Sequence, residues 1–253
     1  MMTVKREDQR TRADLLLVER GFFESRAKAQ EAIAAGHVSA DGRVLRKASE
    51  TIAPSAEIEA SAPYPWVSRG GLKLAAALEA FAIDPCGLVC LDIGASTGGF
   101  THVLLDRGAV RVHAIDVGHG QLHMRLAGDP RVDAHEGLDA RKLSPALFPQ
   151  APRLITCDVS FISLKLVLPA VLPLAAEDAC LIALIKPQFE VGPAQVVKGI
   201  VKSDDAREKA CADVTACVEA QGWSVIGLIP SPITGSDGNC EYLLGARGKA
   251  EPR

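Results

Sequence analysis

From residue 88 to residue 246 the chain alternates apolar runs with helix-like stretches, and no other feature constrains its fold as much. The apolar runs are Leu88–Ile93, Arg111–Val117, Arg131–His135, Arg153–Asp158, Ala179–Lys186, Trp223–Pro230 and Cys240–Ala246. Before and between them lie Leu72–Phe81, Gly99–Arg107, Ser163–Ala175 and Asp204–Ala220. Strands that are apolar almost throughout must be covered on both faces, and alternating helices supply the cover. The expected architecture is therefore an α/β, Rossmann-like sheet of seven strands. Only the turn-rich Ser231–Asn239 joins the last two runs, without a helix, so the final strand is expected to be antiparallel.

The first sixty residues follow another pattern. Arg12–Arg20 and Ser25–Ala35 read as short helices, the second capped by Ser25 and stopped by Gly36. His37–Ser39 and Arg43–Leu45 flank an Asp41-Gly42 turn of the hairpin type, and Glu57–Glu59 reads as a further strand. Two prolines in 61–67 suit an extended connector. The expected organisation is a small α+β domain over 1–60, a linker over 61–67 and the large α/β domain over 68–253.

Hydrophobic residues at 48% and charged residues at 23% exclude a disordered or fibrous chain. The start, MMTVKREDQRTRAD, has no apolar core of a secretory signal, and the longest apolar run, Leu166–Ala176, is broken by Pro169 and Pro173. A cytoplasmic protein without a membrane partner is the expectation. Seven cysteines with no CxxC pair read as buried reduced thiols, and the histidines, with His119 and His123 taken as exposed, form no metal-ligand pattern. No metal is expected. Bulk charge, 28 Lys and Arg against 31 Asp and Glu, gives no reason to expect a nucleic-acid partner.

Asp92-Ile93-Gly94-Ala95-Ser96-Thr97-Gly98-Gly99-Phe100 follows the first strand and opens a helix. Glycines there let the backbone turn tightly and approach a ligand, and the helix start offers free N–H groups. A dinucleotide loop has GxGxxG; this loop has GxxxGG, with an acidic residue two before the first glycine. That suits S-adenosylmethionine (SAM), which has no pyrophosphate to cradle. Asp116, ending the second strand, is placed to accept from ribose hydroxyls, and Asp139, after the third, to reach an adenine amine. A glycine turn that only starts a helix is the competing reading.

Charges close the otherwise apolar fourth and fifth strands: Asp158 in CDVSFIS and Lys186 in LIKPQFE. Lys73, in SRGGLKL, lies before the first strand, and Glu241 begins the last. The carboxyl edge of an open α/β sheet is where ligands bind, so four charges in that register point to one site. A lysine in a partly dry site can serve as a base. Lys186 is the candidate to take a ribose 2′-hydroxyl proton, Lys73 to orient that hydroxyl, and Asp158 and Glu241 to hold the two ammonium groups.

With these residues, the region 64–246 resembles the FtsJ-like SAM-dependent RNA 2′-O-methyltransferases, whose Lys-Asp-Lys-Glu tetrad matches Lys73, Asp158, Lys186 and Glu241. Residues 11–60 resemble the RNA-binding domain first named from ribosomal protein S-four, through Arg12, Asp14, Leu16, Gly21, Ser25, Arg26, Ala29, Ile33, Gly36, Val38, Gly42 and Lys47. The two together, with SRGGLKL, DIGASTGGFT, CDVSFISL and KPQFEVG, are similar to the TlyA (hemolysin A) family over essentially the whole chain. The resemblance implies methylation of cytidine 2′-hydroxyls in ribosomal RNA, with ribosomal RNA or ribosomal subunits as partner. Some members carry an Arg-x-Trp-Val linker that supports SAM binding; Trp66-Val67 match it, but Tyr64 stands where the arginine would be.

Residues 1–60 hold ten Lys and Arg and ten Asp and Glu, so RNA binding must depend on placement. Arg10, Arg12, Arg26 and Lys28 at the helix starts and Arg43, Arg46 and Lys47 around the hairpin are expected to form one phosphate-gripping face; a balanced, solvated surface is the plainer alternative. Three other functions compete: an RNA-binding protein without catalysis, a membrane-lytic hemolysin, and a nicotinamide-dependent oxidoreductase, which the GxxxGG spacing opposes.

Overall fold

The computed structural model of this chain describes residues 10–235 and 237–248; the charged start, residues 1–9, from which the absence of a signal was read, lies outside them. The chain divides into two units, Met1–Pro65 and Trp66–Arg253.

In the first unit, β1 (Thr11–Arg12) leads into α1 (Ala13–Glu19) and α2 (Arg26–Ala34), followed by β2 (Val38–Ala40), β3 (Arg43–Val44), β4 (Thr51–Ile52) and β5 (Ile58–Ala60). The side chain of Ser25 accepts from the Lys28 N–H and caps α2. Asp41 and Gly42 both have positive φ, which closes the β2–β3 hairpin. Leu16, Leu17, Ala29, Ala32 and Ile33 of the helices pack on Val38, Leu45 and Ile52. The β1–β4 pair was not expected: two residues per strand are too short to show an alternation.

The second unit contains α3 (Gly70–Ala80), β6 (Val89–Ile93), α4 (Gly99–Asp106), β7 (Arg111–Asp116), α5 (Met124–Ala127), β8 (Val132–Glu136) and β9 (Leu154–Cys157). It continues through α6 (Leu164–Val171), β10 (Cys180–Ile185), α7 (Pro187–Glu190), α8 (Asp204–Ala220), β11 (Ser224–Pro230) and β12 (Tyr242–Arg247). Its seven strands form one sheet in the order β11-β12-β10-β9-β6-β7-β8. The final strand is antiparallel to both neighbours, as the missing crossover helix required. Side chains alternate between two cores. Leu181, Ala183 and Ile185 of β10 face the layer holding Leu164, Leu168, Val214 and Val218, while Ile182 and Leu184 face the layer holding Leu74, Leu78, Val103 and Leu104. Period-two burial on both faces is why these strands read as unbroken apolar runs.

The expected connector is shared between the units. The Tyr64 hydroxyl donates to Glu31, whereas the Val67 N–H donates to His102 Nδ1 at 3.1 Å. Trp66 lies so close to Gly71 that a Cβ there would come 2.7 Å from its ring. Two expectations need correction. Only Cys90, Cys157 and Cys211 are buried; Cys86 and Cys240 are exposed and Cys180 and Cys217 half-buried. His123 is half-buried, and its Nδ1 accepts the Arg125 N–H at the start of α5.

Candidate active site

In the sheet order, β6 lies between β7 on one side and β9 on the other. Successive crossovers diverge at that point and open a crevice at the carboxyl ends of the strands. The two ends crowd each other. Gly94, just after β6, has a φ of 81°, and a Cβ there would stand 2.3 Å from the Asp158 carbonyl oxygen just after β9. Gly98 caps α4 at a φ of 91°, with Leu126 Cδ1 2.2 Å from where its Cβ would be. A side chain at Gly94 would collide with the backbone at the end of β9, and one at Gly98 with Leu126 and Leu122, so each position needs glycine for packing as well as for its φ.

Two cavities share this crevice. One, of about 670 Å³, is lined by Lys73, Asp158, Lys186 and Glu241 together with Gly94, Ala95, Ser96, Thr97, Gly99 and Phe100. The other, of about 570 Å³, is lined by Asp116 and Asp139 with the Val117-Gly118 turn. Gly94, Ser96, Asp158, Ser160 and Phe161 border both. A groove of this size, with a charged end and a more apolar end, has the dimensions of a small-molecule site.

The four tetrad candidates come together as two ion pairs. Lys73 Nζ donates to Glu241 Oε2 at 2.5 Å, and both side chains are buried. Lys186 Nζ lies 2.6 Å from Asp158 Oδ1, a charge contact without hydrogen-bond alignment, and donates to Ser160 Oγ at 2.8 Å. Asp158, Lys186 and Glu241 each sit one residue outside the strand expected to hold them, where the ladder ends and the side chain is freed toward the cavity. Pro187 ends β10 firmly, because it has no N–H to continue a ladder.

Asp116 serves the loop directly: its Oδ2 accepts the Ser96 N–H and its Oδ1 the Gly118 N–H, both at 2.7 Å. Each oxygen keeps a second lone pair, so ribose hydroxyls can still bind. Asp139 is more committed. Nε and Nη2 of Arg141 and its backbone N–H together make four contacts to the two Asp139 oxygens. Arg141 holds this carboxyl at about 2. To accept from an adenine amine, Asp139 would first have to release part of that contact.

Asp92 and Gly98 are the cofactor candidates that line neither cavity. Asp92 is fully buried beneath the loop, where Thr101 Oγ1 of α4 donates to it at 2.7 Å and Thr156 Oγ1 of β9 at 2.9 Å. It ties the helix and the neighbouring strand to β6. Burial lifts its carboxyl to about 6, against the pull of the two hydroxyls. An acidic residue two before the glycine is thus a brace for the loop, a role its spacing could not separate from ligand contact.

The site also has residues that received no role from the sequence. Phe161 is 91% exposed and has a φ of 64°, a conformation costly for a bulky side chain. Its ring lies 5.2 Å from that of Phe189 at the mouth of the larger cavity. The motifs CDVSFISL and KPQFEVG contain both phenylalanines, yet nothing in their spacing distinguishes an exposed ring from a core one.

Among the expected RNA contacts, Arg12 and Arg26 meet on one carboxylate. Fully buried Asp14 accepts from Arg12 Nε and Nη2 at 3.0 Å each, from Arg26 Nη2 at 2.9 Å and from Gln30 at 2.8 Å. The Arg12 hydrogen bond is the largest of the influences that hold the Asp14 carboxyl far below the usual range. Both arginine side chains remain about half exposed. Lys28 pairs with Glu24, and Arg43 with Glu50. Glu50 also accepts the N–H groups of Arg46 and Lys47, and the Lys47 side chain is exposed.

Comparison with known proteins agrees with both units. The FtsJ-like methyltransferase family matches residues 66–248, and the S4 domain matches residues 11–58. The 16S/23S rRNA (cytidine-2′-O)-methyltransferase TlyA of Mycobacterium tuberculosis strain H37Rv is 44% identical, over 96% of this chain and 92% of the relative. Hemolysin A of Brachyspira hyodysenteriae is 39% identical, over 92% of this chain and 98% of the relative. A solved structure from Streptococcus thermophilus that carries the hemolysin name superposes with a TM-score of 0.76 at 40% identity, covering 96% of this chain and 90% of that one. No helix among the described residues is long and apolar enough to cross a membrane.

Proposed function

Because the chain belongs to the TlyA family of FtsJ-like methyltransferases, we propose that it methylates the 2′-hydroxyl of a cytidine in ribosomal RNA. The observation that carries this reading is the pair of ion pairs, Lys73–Glu241 and Lys186–Asp158, on one cavity wall beside the glycine loop. SAM, when bound, supplies a methyl group on a positively charged sulfur. The residues fit such a donor: Gly94 and Gly98 keep the loop thin, and Asp116 presents two oxygens where ribose hydroxyls can be held.

A ribose hydroxyl is a weak nucleophile, so the protein must fix its direction and remove its proton. Lys73, held by Glu241, orients the hydroxyl oxygen through its remaining N–H donors. Lys186, which rests as the ammonium of its ion pair, first gives a proton to solvent and then takes the hydroxyl's. As the new bond to oxygen forms, that proton becomes strongly acidic, so a modest base suffices. Asp158 and Ser160 keep the Lys186 nitrogen in place and balance the charge it gains. Held geometry supplies much of the rate, because in-line transfer tolerates little misalignment.

The target nucleotide must leave its helix to reach this cavity. Exposed Phe161, with Phe189 beside it, offers a face for the extruded base to stack on. The first unit supplies RNA affinity through Arg12, Arg26, Lys28, Arg43 and Lys47. The test is methyl incorporation from labelled SAM into ribosomal subunits by wild type and Lys186→Ala. Incorporation at a cytidine 2′-oxygen that vanishes in the variant, with SAM binding retained, is expected. Equal incorporation by both proteins would remove Lys186 from the chemistry.

A further inference from the structure

One polar atom of the larger cavity has no place in the chemistry above. Gln188 follows Lys186 by two residues on α7, and its side chain lines the cavity with Phe161 and Phe189. Its Oε1 is buried and has no hydrogen-bond partner among the described residues. The nearby Lys186 ammonium does not serve it, being directed to Asp158 and Ser160. A buried acceptor without a donor is unfavourable, a cost that is met when an arriving ligand brings the donor. The neighbouring surfaces say what kind of ligand: two aromatic rings suit a flat base, and a carbonyl oxygen suits an amino group on its edge.

We infer that Gln188 reads the target base, its Oε1 accepting from the exocyclic amine of cytosine. This rests on the ribose-methylation reading and adds to it a source for base preference. Uracil carries a carbonyl where cytosine carries that amine, so it would set oxygen against oxygen and leave the Gln188 acceptor unmet. An amide turned end for end would favour uracil instead. A carboxylate at this position has an acceptor at either end and cannot be turned into a uracil reader.

The test compares wild type, Gln188→Glu and Gln188→Leu on ribosomal subunits carrying either the mapped target cytidine or a uridine in its place. SAM binding, measured by calorimetry, reports whether each variant is folded. Gln188→Leu is expected to lose about tenfold in kcat/KM on cytidine and about tenfold in cytidine-over-uridine preference, the worth of one hydrogen bond of about 1.4 kcal/mol. Gln188→Glu is expected to keep the preference. Wild-type preference in Gln188→Leu, or its loss in Gln188→Glu, would overturn the assignment while leaving the ribose methylation intact. Failure of the wild type to methylate any cytidine would instead overturn the reading on which it stands.

Discussion

The Lys73–Glu241 pair can be tested for what it does to the fold apart from what it does to the substrate. Its side chains are 8% and 3% exposed with nitrogen and oxygen 2.5 Å apart. At an effective dielectric of ~20 that separation is worth ~7 kcal/mol of gross attraction, most of it offset by the cost of drying two charges. What the pair leaves behind when halved is larger than what it contributes whole: an orphaned buried charge costs about 3–5 kcal/mol. Lys73→Met and Glu241→Gln are each expected to destabilise by that amount, and the double variant by much less than the sum. At ~2–4 °C per kcal/mol for a unit of this size, each single change lowers Tm by ~6–20 °C. Tryptophan fluorescence is the assay, because the chain's two tryptophans, Trp66 and Trp223, both lie in the second unit. The double variant is expected to recover much of the Tm and none of the methyl transfer, which separates the pair's structural cost from its chemical use. A Lys73→Met protein melting within ~2 °C of wild type, or a double variant as unstable as the two singles combined, would refute the argument from buried charge.

Three further outcomes follow from the same geometry. Burial raises the Asp92 carboxyl to about 6 from an unfolded value near 4, so the folded state holds its proton more tightly. The stability this gives is complete only below pH ~4 and is lost as pH rises through 6; Asp92→Asn should flatten that slope, by ~2 kcal/mol between pH 4 and 7, as read from urea midpoints relative to wild type. Phe161→Ala is expected to lower kcat/KM on ribosomal subunits by about tenfold to a hundredfold with SAM affinity unchanged in calorimetry. Lys47→Glu removes an exposed cation without touching the Asp14 cluster, and should weaken binding to ribosomal RNA and reduce the magnitude of its salt-dependence slope by about one; an unchanged slope would remove Lys47 from the interface.

The centre of the sheet was legible because both of its faces are buried there. Leu181 to Ile185 must all be apolar when alternate side chains enter two different cores, and no polar residue interrupts the signal. The clustering of the four charges was legible for the opposite reason: Asp158 and Lys186 are charges that break an apolar run where its ladder stops. What escaped were roles fixed by contacts distant in sequence. Asp92 carries the spacing of a ligand contact, yet Thr101 and Thr156 turn it into a brace. Asp139 has a similar position after its strand, and a single neighbour, Arg141, occupies its oxygens. Phe161 and Gln188 were invisible for want of any signal, since exposure and an unmet hydrogen bond are properties of the folded chain alone.

The near-neutral charge of the first unit has the same origin. Counting carboxylates against cations treats each as a contributor to the surface field, and Asp14 is not at the surface. It lies fully buried and gathers Arg12, Arg26 and Gln30 onto its two oxygens. Glu50 likewise spends its charge on Arg43 and on the backbone of Arg46 and Lys47. These carboxylates cancel charge in the total while ordering the guanidinium groups that stay half exposed. An arginine held in this way gives up less side-chain entropy on meeting a phosphate than a free one. Its long-range pull on RNA is also weaker, because the charge beneath it is paired. If the first unit grips RNA as proposed, a unit built like this would favour RNA whose phosphates match fixed positions over RNA at large. That is the discrimination an enzyme needs when its target is one nucleotide among thousands of equally charged neighbours.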